Sequence, residues 1–348
     1  MSSATVSLSP SASDNQLTVS FRLLLCLYAI IPLCLLLQFY DGWFGEHYLQ
    51  QALPSSPNHF LLFQILFGTP HIIASTVLMI SNRDYLQRYQ RKLLLMTAAI
   101  AVFFGVGSLF IPYRVLYILV ASWTVYHVLR QQHGIGRSLC RLPVWAFQML
   151  LWLSISAGIF IYIGIFLKNS LDSQQVEWIK HLSGGFCIAL VCGSLFCQRY
   201  CPNSFSRWFL WANTFLVLSS FYLFVQQYYF LAILVPRLVH DATAYVFYVT
   251  HDYNKHQKQP QNLLYRLTAQ WHLPIFVVLP LFSFVLAFVL QAYGDTLVNF
   301  ISKTFFEVEV RKVVTLGLLG YLALMHYYTE AFTWKKDSPY RQFIGFSK

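Results

Sequence analysis

Charge is scarce in this sequence. Of its 348 residues only 11% are Asp, Glu, Lys or Arg, and just 13 are acidic. With 57% hydrophobic residues, that supply is too thin to cover a soluble domain, which excludes an ordinary water-facing globule. Also missing are internal repeats, low-complexity core segments and any loop long enough for a separate domain. A single domain over residues 21–335 is expected. The seven cysteines have neither zinc-ribbon nor redox CxxC spacing. Cys187, Cys192, Cys197 and Cys201 gather near one helix end and read as small packing residues without disulfides. Residues 1–20 are rich in Ser and Thr, have no basic n-region and precede no small-residue cleavage site, so an uncleaved, disordered tail is expected there. Residues 336–348 are expected to form a C-terminal tail.

What is abundant is long apolar runs, each bracketed by Arg, Lys, Pro or Gly. Their lengths, about 17 to 25 residues, suit helices that cross about 30 Å of hydrocarbon, and an open sheet edge there would leave backbone groups unsatisfied. The fold class expected is therefore all-α, a polytopic transmembrane bundle of about ten spans. They fall at 21–40, 60–80, 93–112, 115–130, 143–167, 182–197, 208–226, 229–251, 273–293 and 313–332. Only Gln226 and Gln227 interrupt the stretch from Trp208 to Thr250, too long for one span, so a tight hairpin is expected there.

The formal net charge of +11 would suit nucleic acid if it were clustered, but it alternates loop by loop. Of the Lys and Arg residues, 17 fall on one side and 6 (Arg114, Lys168, Lys180, Lys303, Arg311 and Lys312) on the other, with Arg237 alone inside a span. The positive-inside rule puts both termini in the cytoplasm, with the basic residues facing lipid headgroups and no nucleic-acid partner. The location expected is a bacterial inner membrane, crossed many times.

On this topology seven of the 11 histidines lie at or near the cytoplasmic face: His71, His127, His133, His240, His251, His256 and His326. Ionisable side chains in lipid are costly and so point to function. At 1.5 Å of rise per residue, His71 and His240 lie roughly 15 Å, and His326 about 10 Å, above the cytoplasmic ends of their helices. His47, His59 and His181 fall in outer loops or at helix ends and are set aside. The densest stretch runs from Arg237 through His240, Asp241 and Tyr245 to His251, Asp252 and His256. Arg237 and Asp241 have the i, i+4 spacing of a helical ion pair, as do His326 and Glu330 that of a nitrogen and an oxygen ligand on one face. Pro70 and Gly68 permit a kink and close approach beside His71. His127 and Gln131 share a face; Gly134 and Gly136 are expected to end that helix and turn His133 back toward the site.

Imidazoles with a few carboxylates suit transition metals better than magnesium or calcium. The ligand candidates are His71, His127, His133, His240, His251, His326, Glu330 and Asp241, enough for two ions. Arg237, Gln131, Asp252 and His256 are expected to support them, and Asp241, Glu330 and Tyr245 to act in catalysis. Helix-borne histidines on the cytoplasmic side resemble those of the histidine-rich integral-membrane iron enzymes, the desaturases, hydroxylases and related oxygenases. Paired HxxHH boxes of the desaturases are absent. Gly68-Thr69-Pro70-His71 is similar to the Gly-x-Pro-His start of a motif in bacterial β-carotene-cleaving membrane dioxygenases, but Ile72 and Ile73 follow and the further Asp-His of that motif is missing.

These resemblances imply a non-haem iron oxygenase, hydroxylase or desaturase acting on a lipid or isoprenoid at the cytoplasmic half of the bilayer, with an electron donor as partner. Zinc is the alternative ion. Two other functions fit the same residues: a proton-coupled transporter using a His/Asp/Glu/Arg relay, and a haem-b protein with axial histidines.

Overall fold

A computed structural model describes residues 16–258, 260, 262–310, 312–335 and 337–347. The expected tail at 1–15, and Arg311, Lys336 and Lys348 of the charge count, lie outside them. In chain order the long helices are α1 (Phe21–Trp43), α2 (Leu61–Ser81), α3 (Arg83–Phe110), α4 (Tyr113–Cys140), α5 (Val144–Phe166), α6 (Ser173–Tyr200), α7 (Ser204–Val225), α8 (Tyr229–His256), α9 (Ile275–Phe306) and α10, a π turn Val313–Leu318 that continues into Leu319–Thr333. Eight of these are long and apolar enough to cross a membrane, the pattern of a multi-pass membrane protein. The two that fall short, α4 and α10, are diluted by their own polar residues, Arg130, Gln131, Gln132 and His133 on one and His326, Thr329 and Glu330 on the other.

Helix α8 is central. In its most apolar stretch 67% is buried inside the protein, against 6% for α3, so α8 is surrounded by protein while α3 presents its apolar surface outward. α8 packs against α1, α2, α4, α7 and α9, and α10 packs against α2 and α3. Pro236 inside α8 has no N–H for the carbonyl of Ala232; Ser220 Oγ on α7 donates to that oxygen at 2.6 Å. A proline that would break an isolated helix is thereby accommodated where its neighbour repairs the missing bond. α7 and α8 are joined by Gln226, Gln227 and Tyr228 alone, with Gln227 at φ 64° to reverse the chain.

Two expectations are corrected. Gly134 and Gly136 do not end α4, which continues to Cys140 and stops at Arg141 with φ 51°. A Cβ on Gly136 would lie 2.9 Å from Asn213 Nδ2 and 3.5 Å from Phe209; this glycine lets α7 approach, a packing use of a small residue between membrane helices. Nor are residues 16–20 a disordered tail, and residues 337–347 fold back beside them. Thr18–Ser20 pairs in parallel with Gly345–Ser347, and Asn254 on α8 joins the two ends by hydrogen bonds to Leu17 N and O and to Phe343 O at 2.7–2.8 Å. Tyr340 is buried against the ring of His251, and Phe346 stacks on Phe21.

Candidate metal centre

Four helices deliver the site. α2 supplies His71, α4 His127, α8 His240 and Asp241, and α10 His326 and Glu330, all buried. Ligand atoms of His127, His240, His326 and Glu330 lie within 4.8 Å of one another, as do those of His71, His240 and Asp241, so His240 belongs to both groups. The His127, His240 and His326 rings stand 4.8–6.1 Å apart by their centroids, and His71 adds itself at 4.9 Å from His326 and 5.5 Å from His240.

Local structure explains why these rings face one another. A π turn at Gln64–Gly68 precedes His71, a distortion found often at functional sites. Nδ1–H of His71 donates to the Phe67 carbonyl at 3.1 Å, which leaves Nε2 with its lone pair 3.4 Å from Asp241 Oδ1. Ser75 Oγ donates to the Ile72 carbonyl at 2.9 Å and, with its proton committed, accepts from His326 Nδ1–H at 2.8 Å. Nε2 of His326 is again the free lone pair, 4.0 Å from Glu330 Oε2. Tyr248 donates its hydroxyl to Glu330 Oε1, holding Oε2 toward His127 Nε2 at 3.2 Å. Fixing a ligand by the hydrogen bond on its far atom is how proteins orient histidines and carboxylates around metals. Gly68 is needed for a close approach: a Cβ there would lie 2.7 Å from Gln64 Oε1 and 2.9 Å from Arg237 Nη2, and Arg237 in turn comes within 3.8 Å of Asp241.

Polar accounting separates a metal site from packed ion pairs. Among the described residues, both nitrogens of His240, Nε2 of His127 and of His326, and both carboxylate oxygens of Asp241 are buried without a hydrogen-bond partner. Buried polar atoms are ordinarily paired, and imidazolium–carboxylate contacts could account for His127 with Glu330 and for Asp241 with His71 but not for His240. Two donor atoms bound at about 2.0–2.1 Å to a single ion are about 2.9–4.1 Å apart, the range in which the 3.2, 3.4 and 4.0 Å separations fall. The set can hold a metal ion.

The remaining candidates stand elsewhere. His133 faces α5, with Nε2 2.9 Å from Ser154 Oγ. His251 is fully occupied at the end of α8 by Tyr85 OH at 2.7 Å and Asp252 Oδ1 at 3.0 Å; Asp252 also accepts from Tyr265, on whose ring His256 stacks. Burial first and the neighbouring Asp252 second push the Tyr265 phenol far above its ordinary range, and burial with Glu330 and Asp252 does the same for Tyr340, so both keep their protons. Tyr245 bonds Ser283 on α9. Gln131 lines a cavity of about 1080 Å³ that begins at His127 and Glu330. Ser75 and Tyr248 had not been singled out from the sequence. Ser75 is one turn beyond His71, and Tyr248 is seven residues beyond Asp241 on the same face of α8, so spacing from the candidates could have found both.

No family model, no curated protein and no solved structure matches the chain.

Proposed function

We propose that the chain is an integral-membrane, metal-dependent oxidoreductase of the oxygenase, hydroxylase or desaturase kind, with iron as its ion and a lipid or isoprenoid as its substrate. The observation that carries this reading is the set of partnerless donor atoms centred on His240, at the crossing of four helices. α4 and α10 would cross the membrane with the other eight, their hydropathy lowered by polar residues in and beside the site. Pairing of Thr18–Ser20 with Gly345–Ser347 supports an even number of crossings, and the charge bias supports a cytoplasmic side for those ends.

His71, His127, His240 and His326 would hold the ion or ions as neutral imidazoles, with Asp241 and Glu330 balancing the charge of one divalent cation. Bound iron would supply the one-electron chemistry toward dioxygen that amino-acid side chains lack. The protein's part is to fix the ligands through Phe67, Ser75 and Tyr248, to keep water from the buried rings, and to give an apolar molecule access along the cavity that ends at His127 and Glu330. Reduction of dioxygen further requires a donor of electrons.

Expression in a heterologous membrane, followed by mass analysis of its lipids, tests this. Products that have gained an oxygen or lost two hydrogens, present with the native chain and absent with Glu330→Gln, are expected. An unchanged lipid profile from protein that carries its metal would rule the reading out.

A further inference from the structure

The wall of the large cavity is strongly one-signed. It carries Arg22, Arg130, Arg141, Lys335 and Arg341 against one acid, Glu330, which faces the histidines. None of the five cations takes part in an ion pair among the described residues. Basic residues facing lipid headgroups would explain exposed side chains alone. They do not explain three donors in the same wall, Arg341 Nη1, Gln131 Nε2 and Trp334 Nε1, which are buried and have no acceptor. Buried donors are ordinarily paired, and among the described residues these three have no partner.

The cations are spread along the cavity. Arg141 lies fourteen residues beyond His127 on α4, about 21 Å along the helix axis. Arg22, Lys335 and Arg341 belong to the same end of the bundle, next to the paired strands. The rest of the lining is largely aromatic and aliphatic, with Tyr126, Ile135, Phe247 and Tyr327 among its residues. A volume of about 1080 Å³ is at the upper end for a site holding one small molecule.

We infer that the cavity receives an amphiphile with one oxyanionic head group, a carboxylate or phosphate, which sits among Arg341, Gln131, Trp334 and the neighbouring cations while its hydrocarbon tail lies along the aromatic and aliphatic lining. The inference concerns binding and stands apart from the function proposed above.

The test is equilibrium binding to the full chain in an uncharged detergent, using oleate, oleyl phosphate and oleyl alcohol, which share one tail. At least one of the anions should bind about tenfold or more tightly than the alcohol, as expected for charge-assisted hydrogen bonds that include the buried Arg341 nitrogen, and saturate at one per chain. Arg341→Gln and Lys335→Gln should each weaken the anion several-fold and leave the alcohol unchanged. Equal affinity for all three, or folded variants of both residues that bind the anions as the native chain does, would overturn the inference. Inorganic phosphate binding as tightly as oleyl phosphate would overturn it too, by showing a plain anion site. Metal content measured on the same samples separates the two readings: failed discrimination in metal-loaded protein removes this substrate class alone, and absent metal removes the proposed chemistry alone.

Discussion

Replacing Tyr248 by Phe removes one hydroxyl and almost no volume, from a buried ring that donates to Glu330 Oε1 and lies 3.5 Å from His326 Nδ1. The change leaves Glu330 in place but free to rotate its Oε2 away from His127, now 3.2 Å distant. Loss of such an outer partner lowers metal affinity about 10- to 100-fold, which is about 1.4–2.7 kcal/mol. That agrees with the roughly 1.5–3 kcal/mol carried by a hydrogen bond to a charged group. Competition with a chromogenic chelator in detergent measures it. Tyr245→Phe is the control, because Tyr245 bonds Ser283 on the α9 side and its loss should leave metal affinity within about twofold. A folded Tyr248→Phe protein with native affinity, or equal losses from both substitutions, would refute the role assigned to this hydroxyl.

Ser75→Ala should lower metal affinity about tenfold or more by the same logic, since His326 Nδ1 loses its acceptor at 2.8 Å and the ring its fixed tautomer; the same titration reads it. Gly68→Ala forces a Cβ to within 2.7–2.9 Å of Gln64 and Arg237, an overpacking that should cost about 1–3 kcal/mol in unfolding experiments and displace Arg237 from Asp241. His251→Ala should spare metal content while releasing the C-terminal segment, because His251 stacks on Tyr340 at 4.3 Å. Faster tryptic cleavage at Arg341 would show that release, and loss of metal from the folded variant would contradict the separation of the two histidine layers.

Much of the helical architecture could be read from the apolar runs, because hydrocarbon thickness fixes their length. Charge bias then ordered the helices by direction, so that His71, His127, His240 and His326 could be compared by depth along separate chains of the bundle. What depth does not give is the angle around each helix. His133 follows His127 by six residues, which rotates it by about 240° and leaves it against Ser154. His251 does share a face with His240, eleven residues away, but that spacing is also about 16 Å of rise, too far for ligands of one ion. It serves the termini, whose pairing is a long-range contact with no periodic signal. Gly136 was misread because a glycine that ends a helix and one that admits a neighbour look alike until the neighbour, Asn213 with Phe209, is in place. The pairing of Ser75 with His326 and of Tyr248 with Glu330 likewise depends on contacts between helices.

The central claim is that His240 stands at the shared edge of two ligand groups. Elemental analysis of the native chain and of His240→Ala, both purified from iron- and zinc-replete cells and both shown to be folded, tests it most directly. The account predicts at least one tightly held transition-metal ion per native chain and its loss from the variant. A native protein without bound metal, or a folded His240→Ala protein that retains the native complement, would contradict it.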